Sequence, residues 1–92
     1  MEPTIQSEEG RFFVEQEGES IAEITYVTEQ DGSLTIDHTL VSEQLRGQSI
    51  GEQLVKKVVD KARTEGVKIT PVCSYAAHQF EKHAEYKDVL KT

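Results

Sequence analysis

A change of hydrophobic period near the middle of the chain constrains the fold more than any other feature. Leu34 to Val41 alternates with a period of two, as a strand with one buried face does. Leu34, Ile36, His38 and Leu40 fall on one face; Thr35, Asp37, Thr39 and Val41 fall on the other. From Ile50 the period is helical. Ile50, Leu54, Val55, Val58, Val59 and Ala62 form an apolar stripe, opposed by Glu52, Gln53, Lys56, Lys57, Asp60 and Lys61. Gly66 then ends the helix as a C′ glycine. A strand that crosses a short loop into an amphipathic helix implies a helix laid on a sheet.

The flanking segments complete that architecture. Residues 11–15 read as a strand ended by Glu17-Gly18, and residues 20–28 as a second strand rich in β-branched and aromatic residues. The Asp31-Gly32 step signals a hairpin into Leu34–Val41. Residues 67–73 read as a short apolar strand carrying Pro71, residues 75–83 as a second helix, and residues 85–90 as a final turn or short helix. The first nine residues are polar and read as frayed. The expected class is α+β. A three-stranded antiparallel meander and a β-α-β crossover would form a mixed sheet, in the order β-β-β-α-β-α, as one domain over residues 1–92.

Composition narrows the function classes. The chain has 92 residues and a formal net charge of -7. Nucleic-acid binding requires a basic face that displaces counterions from phosphates, and these lysines are interleaved with acids. No apolar run reaches membrane-spanning length. Met1-Glu2-Pro3-Thr4 has no basic region followed by an apolar run, so no secretory signal is expected. The single cysteine, Cys73, allows no intramolecular disulfide, in keeping with a reducing compartment. The expectation is a cytoplasmic protein, a monomer or weak homodimer.

The loop between strand and helix, Arg46-Gly47-Gln48-Ser49-Ile50-Gly51, carries the main chemical signal. A helix start exposes unpaired N–H groups and the positive end of the helix dipole, which together suit an anion. Gly47 and Gly51 leave the backbone open to a phosphate, and Arg46 adds donors of fixed charge. The competing reading is purely structural: Ser49-Ile50-Gly51-Glu52 fits the S-x-x-E capping box.

At these residues the chain resembles the GCN5-related N-acetyltransferases, the GNAT superfamily, and most of all its very small single-domain branch. Arg46, Ser49 and Gly51 match the Q/R-x-x-G-x-G/A coenzyme signature, with Ser49 in place of the usual glycine. His38-Thr39-Leu40-Val41, Ala62-Arg63 with Gly66, Pro71-Val72-Cys73-Ser74-Tyr75 and His83-Ala84-Glu85-Tyr86 match further motifs of that branch in order, Ala84 replacing a common proline. The resemblance spans about residues 11–90. It implies a GNAT fold that takes acetyl-CoA or CoA and transfers acetyl to an unidentified acceptor, an amine or a protein. It further implies pantetheine held by main-chain groups of Leu40 and Val41, between the strands ending at Val41 and Cys73. The pyrophosphate would lie on the amides of Arg46, Gly47, Gln48, Ser49, Ile50 and Gly51, and Cys73 and Ser74 would border the coenzyme. The alternative is a CoA-binding or protein-interaction module with little catalysis.

Three side chains are candidates for chemistry. Cys73 precedes a helix start whose dipole favours a thiolate, and so could carry acetyl; a lone cysteine is otherwise a small buried hydrophobe. Tyr75 is a candidate acid for the departing CoA thiolate, or a packing residue. His38 is the candidate base, or a core histidine satisfied among Leu34, Ile36 and Leu40. His83, Glu85 and Tyr86 read as anchors of the C-terminal turn. Cys73, His78 and His83 lack zinc-site spacing and a fourth ligand, so no metal is expected.

Overall fold

A computed structural model describes residues 5–42 and 50–91. The strands are β1 (Gln6–Glu8), β2 (Arg11–Gln16), β3 (Glu19–Thr28), β4 (Leu34–Val41) and β5 (Ile69–Pro71); the α-helices are α1 (Ile50–Glu65) and α2 (Ser74–Lys82). A 3-10 helix, Ala84–Val89, closes the chain. The strands form one sheet in sequence order, antiparallel from β1 to β4 and parallel between β4 and β5. This is the expected α+β class and mixed sheet, with one strand more. Gln6–Glu8, read as frayed, pairs with β2 from Gln6–Phe13 to Glu8–Arg11. All three of its side chains are exposed, so it carries no hydrophobic pattern to read.

The stripe on α1 is the centre of the core. Ile50, Leu54, Val55, Val58, Val59 and Ala62 are all buried against Val14, Ala22, Ile24, Leu34 and Ile36 of the sheet. Ala76 and Phe80 of α2, with Tyr86 and Val89, join the same cluster, so the helices lie on one face. α1 ends as its sequence predicts. Gly66 has φ of 70°, and the Gly66 and Val67 amides donate to the carbonyls of Arg63 and Ala62, satisfying two orphan acceptors. The C-terminal segment docks back on α1. Arg63 donates Nε and Nη2 to the Asp88 carboxylate and Nη2 to the Glu85 carbonyl. The His83 ring lies 5.0 Å from that of Tyr86 and its Nδ1 is 2.9 Å from Glu85, which is the anchoring expected of those residues.

β4 departs from the regular alternation expected of it. Thr25 pairs with His38 but Tyr26 pairs with Ile36, so Asp37 is an extra residue, a β-bulge. The bulge resets the phase of the strand. Leu34 and Ile36 remain in the core, but Thr39 and Val41 now follow them inward, while His38 and Leu40 turn to the opposite face and are exposed. His38 is therefore not a core histidine. Asp37 accepts a 2.5 Å hydrogen bond from Thr25 Oγ1 across the bulge.

Candidate active site at the β4–β5 gap

The parallel pairing of β4 with β5 stops early. Its last pair is Ile36–Pro71, and the amides of Val72 and Cys73 both turn onto the Ile36 carbonyl, at 3.0 and 3.1 Å. β5, expected over residues 67–73, thus covers only Ile69–Pro71. Beyond this point, among the described residues, β4 continues with β3 alone while the chain leaves for α2, and a gap opens between them. The Ser42 amide donates to Ile21 of β3 at 2.8 Å. Main-chain direction alternates along an antiparallel strand, so Leu40 also faces β3, while Thr39 and Val41 face the gap. Val41, rather than Leu40, therefore offers main-chain groups to anything lying there.

Cys73 stands at the apex of the gap as the N-cap residue of α2. Its sulfur is 3.5 Å from Thr39 Oγ1. Burial would push the thiol up. The amide of Ala76, the Thr39 hydroxyl, the amide of Tyr75 and the main chain of Thr39 outweigh it and hold Cys73 below the ordinary thiol value. The α2 amides act here as aimed dipoles, since no capping hydrogen bond of ordinary geometry forms. Thr39 lies within a recognisable motif, yet the sequence gives it no role; the bulge that turns it toward Cys73 has no local signature.

Tyr75 packs its ring against the first turn of α1. A Cβ on Gly51 would lie 2.2 Å from the Tyr75 hydroxyl oxygen and 2.7 Å from Cζ. Burial, and then the Glu52 carboxylate, push the Tyr75 phenol up against the opposing pull of Lys82, so it is protonated at neutral pH. Lys82 Nζ bonds Glu52 at 2.8 Å, a second tie between α2 and the start of α1. The structure thus brings Cys73, Thr39, Tyr75, Val41 and Gly51 to one end of the sheet, with Ile50 buried behind them and Ser74 exposed beside Cys73. It puts His38 on the outer sheet face. Arg46, Gly47, Gln48 and Ser49 lie outside the described residues.

Residues 11–89 match the family described as GCN5-related N-acetyl-transferase. The NMR structure of a GCN5-like candidate N-acetyltransferase from Staphylococcus aureus is 40% identical, with a TM-score of 0.81, over 96% of this chain and 87% of that one. Two more distant structures share the fold. One is N-acetylglutamate synthase from Neisseria gonorrhoeae, complexed with coenzyme A and N-acetylglutamate (21% identity, TM-score 0.64, 79% of this chain and 18% of that one). The other is the ribosomal-protein-S18-alanine N-acetyltransferase from Escherichia coli (19% identity, TM-score 0.63, 83% of this chain and 53% of that one). No curated protein sequence matches the chain. With a family match over most of its length and a 40%-identical structure of the same fold, the chain belongs to the GCN5-related N-acetyltransferases and is an acyltransferase.

Proposed function

We propose that this protein binds acetyl-CoA at the β4–β5 gap and transfers acetyl to an amine. The observation that carries this reading is the gap itself, a β4 edge that is unpaired past Ile36 among the described residues and ends beside a polarised thiol. An extended amide chain such as pantetheine can pair with a free strand edge as an added strand would. Val41 is placed to make that pairing. The expected phosphate contacts are the start of α1 at Ile50 and Gly51, together with Arg46, Gly47, Gln48 and Ser49, and Ser74 borders the same opening.

Acetyl-CoA supplies an activated thioester carbonyl. Transfer forms a bond between the acceptor nitrogen and the carbonyl carbon and breaks the carbon–sulfur bond; the CoA thiolate leaves and must gain a proton. Tyr75 is protonated at neutral pH and can supply it. His38 on the outer face is the candidate base for an ammonium arriving from that side. A two-step route uses Cys73 as carrier: its thiolate takes the acetyl group, then yields it to the amine.

Titration with CoA, followed by amide chemical shifts, tests the binding. The shifts should cluster on Val41–Gly51 and around Cys73; shifts confined to β1 or the C-terminal 3-10 helix would exclude the site. Intact mass after incubation with acetyl-CoA tests the carrier route. An adduct that persists in Cys73→Ala would remove Cys73 from it. Release of CoA in the presence of an amine panel separates an enzyme from a binding module.

A further inference from the structure

We propose that Tyr75 is a positioning residue for Cys73, and that Gly51 is glycine in order to seat it. This inference rests on the reading of Cys73 as the reactive thiol, and it gives Gly51 a role separate from holding phosphate.

A glycine in a helix costs up to about 1 kcal/mol relative to alanine, so its presence needs a reason. The backbone does not provide one: Gly51 lies within α1 and is not among the residues with positive φ. Space provides it. The Tyr75 ring tip occupies the place of the missing side chain, with Oη, Cζ and Cε1 at 2.2, 2.7 and 3.0 Å from a Cβ built there. These distances are far inside van der Waals contact, and two of the atoms belong to a rigid ring. A methyl group at position 51 must therefore displace the ring.

The ring belongs to the residue two positions after Cys73, in the first turn of α2. The amides of Tyr75 and Ala76 in that turn are two of the groups that hold the Cys73 thiol below its ordinary value. The Lys82–Glu52 pair fastens the far end of α2 to the residue next to Gly51. α2 is thus pinned to the first turn of α1 at two points, two helical turns apart. With the helix so fixed, the Cys73 sulfur is held between Thr39 and the α2 amides. The end of α1 expected to meet the coenzyme phosphates thereby sets the geometry of the thiol.

The test is the pH profile of alkylation by iodoacetamide, in the full chain without coenzyme. Cys73 is the only cysteine, so the signal has one source. In Gly51→Ala the displaced ring should raise the midpoint by roughly half a pH unit and slow alkylation at neutral pH about threefold. Tyr75→Ala should shift the profile in the same direction. Tyr75→Phe keeps the ring in its seat and should keep the wild-type profile. The double variant Gly51→Ala/Tyr75→Ala should match Tyr75→Ala, because without the ring the added methyl meets nothing. A wild-type profile in Gly51→Ala, or effects that add in the double variant, would overturn the proposal. If Gly51→Ala does not fold, the double variant decides: recovery of the fold with the Tyr75→Ala profile supports the seat, and failure to recover removes it. Since no coenzyme is present, these outcomes are independent of the CoA titration.

Discussion

Thr39 shows how much a single hydroxyl can contribute to this site. It faces Cys73 only because the Asp37 bulge turns it inward, and its side chain and main chain both favour the thiolate. Thr39→Val keeps the shape and removes the hydroxyl. The thiolate then loses a donor, so the alkylation midpoint should rise, by a few tenths to about one pH unit. An unchanged midpoint would mean that the α2 amides alone set the thiol. Asp31 tests the opposite sign on a structural carboxylate. The Ser33 hydroxyl, Lys91 and the Ser33 amide hold it far below the ordinary 3.8. In that range the folded protein binds fewer protons than the unfolded chain, so stability rises with pH. Its contribution is complete above the ordinary value and is lost as pH falls below it. The difference in urea midpoint between wild type and Asp31→Asn should therefore be constant above about pH 5 and shrink toward about pH 2. A difference that stays level to the acid end would show that the Asp31 contacts do not form in solution.

Among the elements, β4 was both the most legible and the most misleading. Its alternation marked it as a strand and located the junction with α1, yet the phase failed after Ile36, because a bulge is decided by pairing with β3 rather than by local composition. β1 escapes for a related reason: its three residues are polar and exposed, and it is held by backbone pairing with β2 and by the Glu8–Arg11 ion pair, so no apolar alternation marks it. α1 is legible in the sequence because its stripe and its Gly66 terminator are local. The bulge makes a sharp prediction. Removing Asp37 leaves Leu34, Ile36, Thr39 and Val41 facing the core but straightens the strand that the gap depends on. The deletion should fold with near-native circular dichroism and weaken CoA binding about tenfold or more, about 1.4 kcal/mol. Wild-type affinity in the deletion would mean that the gap does not need the bulge. For the α1 terminator, Gly66→Ala forces a Cβ into positive φ and should lower stability by about 1 kcal/mol in urea unfolding.

At the scale of the molecule, the layout is a sheet with both α-helices on one face and, among the described residues, no helix on the other. Leu40 and Val72 stand on either side of the gap, 49% and 64% exposed. The single core was visible in the sequence because α1 supplies its centre, whereas the gap was not, because it depends on where two strands part. A chain of 92 residues has a total stability of roughly 5–15 kcal/mol. Core and site should therefore separate cleanly under mutation. Leu54 is fully buried at the centre of the cluster, and Leu54→Ala should cost about 2–5 kcal/mol, a large share of that total. Cys73 only borders the core, and Cys73→Ala should cost within about 1 kcal/mol. Urea unfolding of the two variants, set beside CoA release with an amine, measures both quantities. If Cys73→Ala keeps its fold and loses transfer, the thiol acts in the chemistry. If it keeps both, the acetyl group passes directly to the amine, and the groups around Cys73 serve the shape of the gap. If it unfolds as readily as Leu54→Ala, the thiol is part of the core, and its polarisation by Thr39 and the α2 amides has no catalytic meaning.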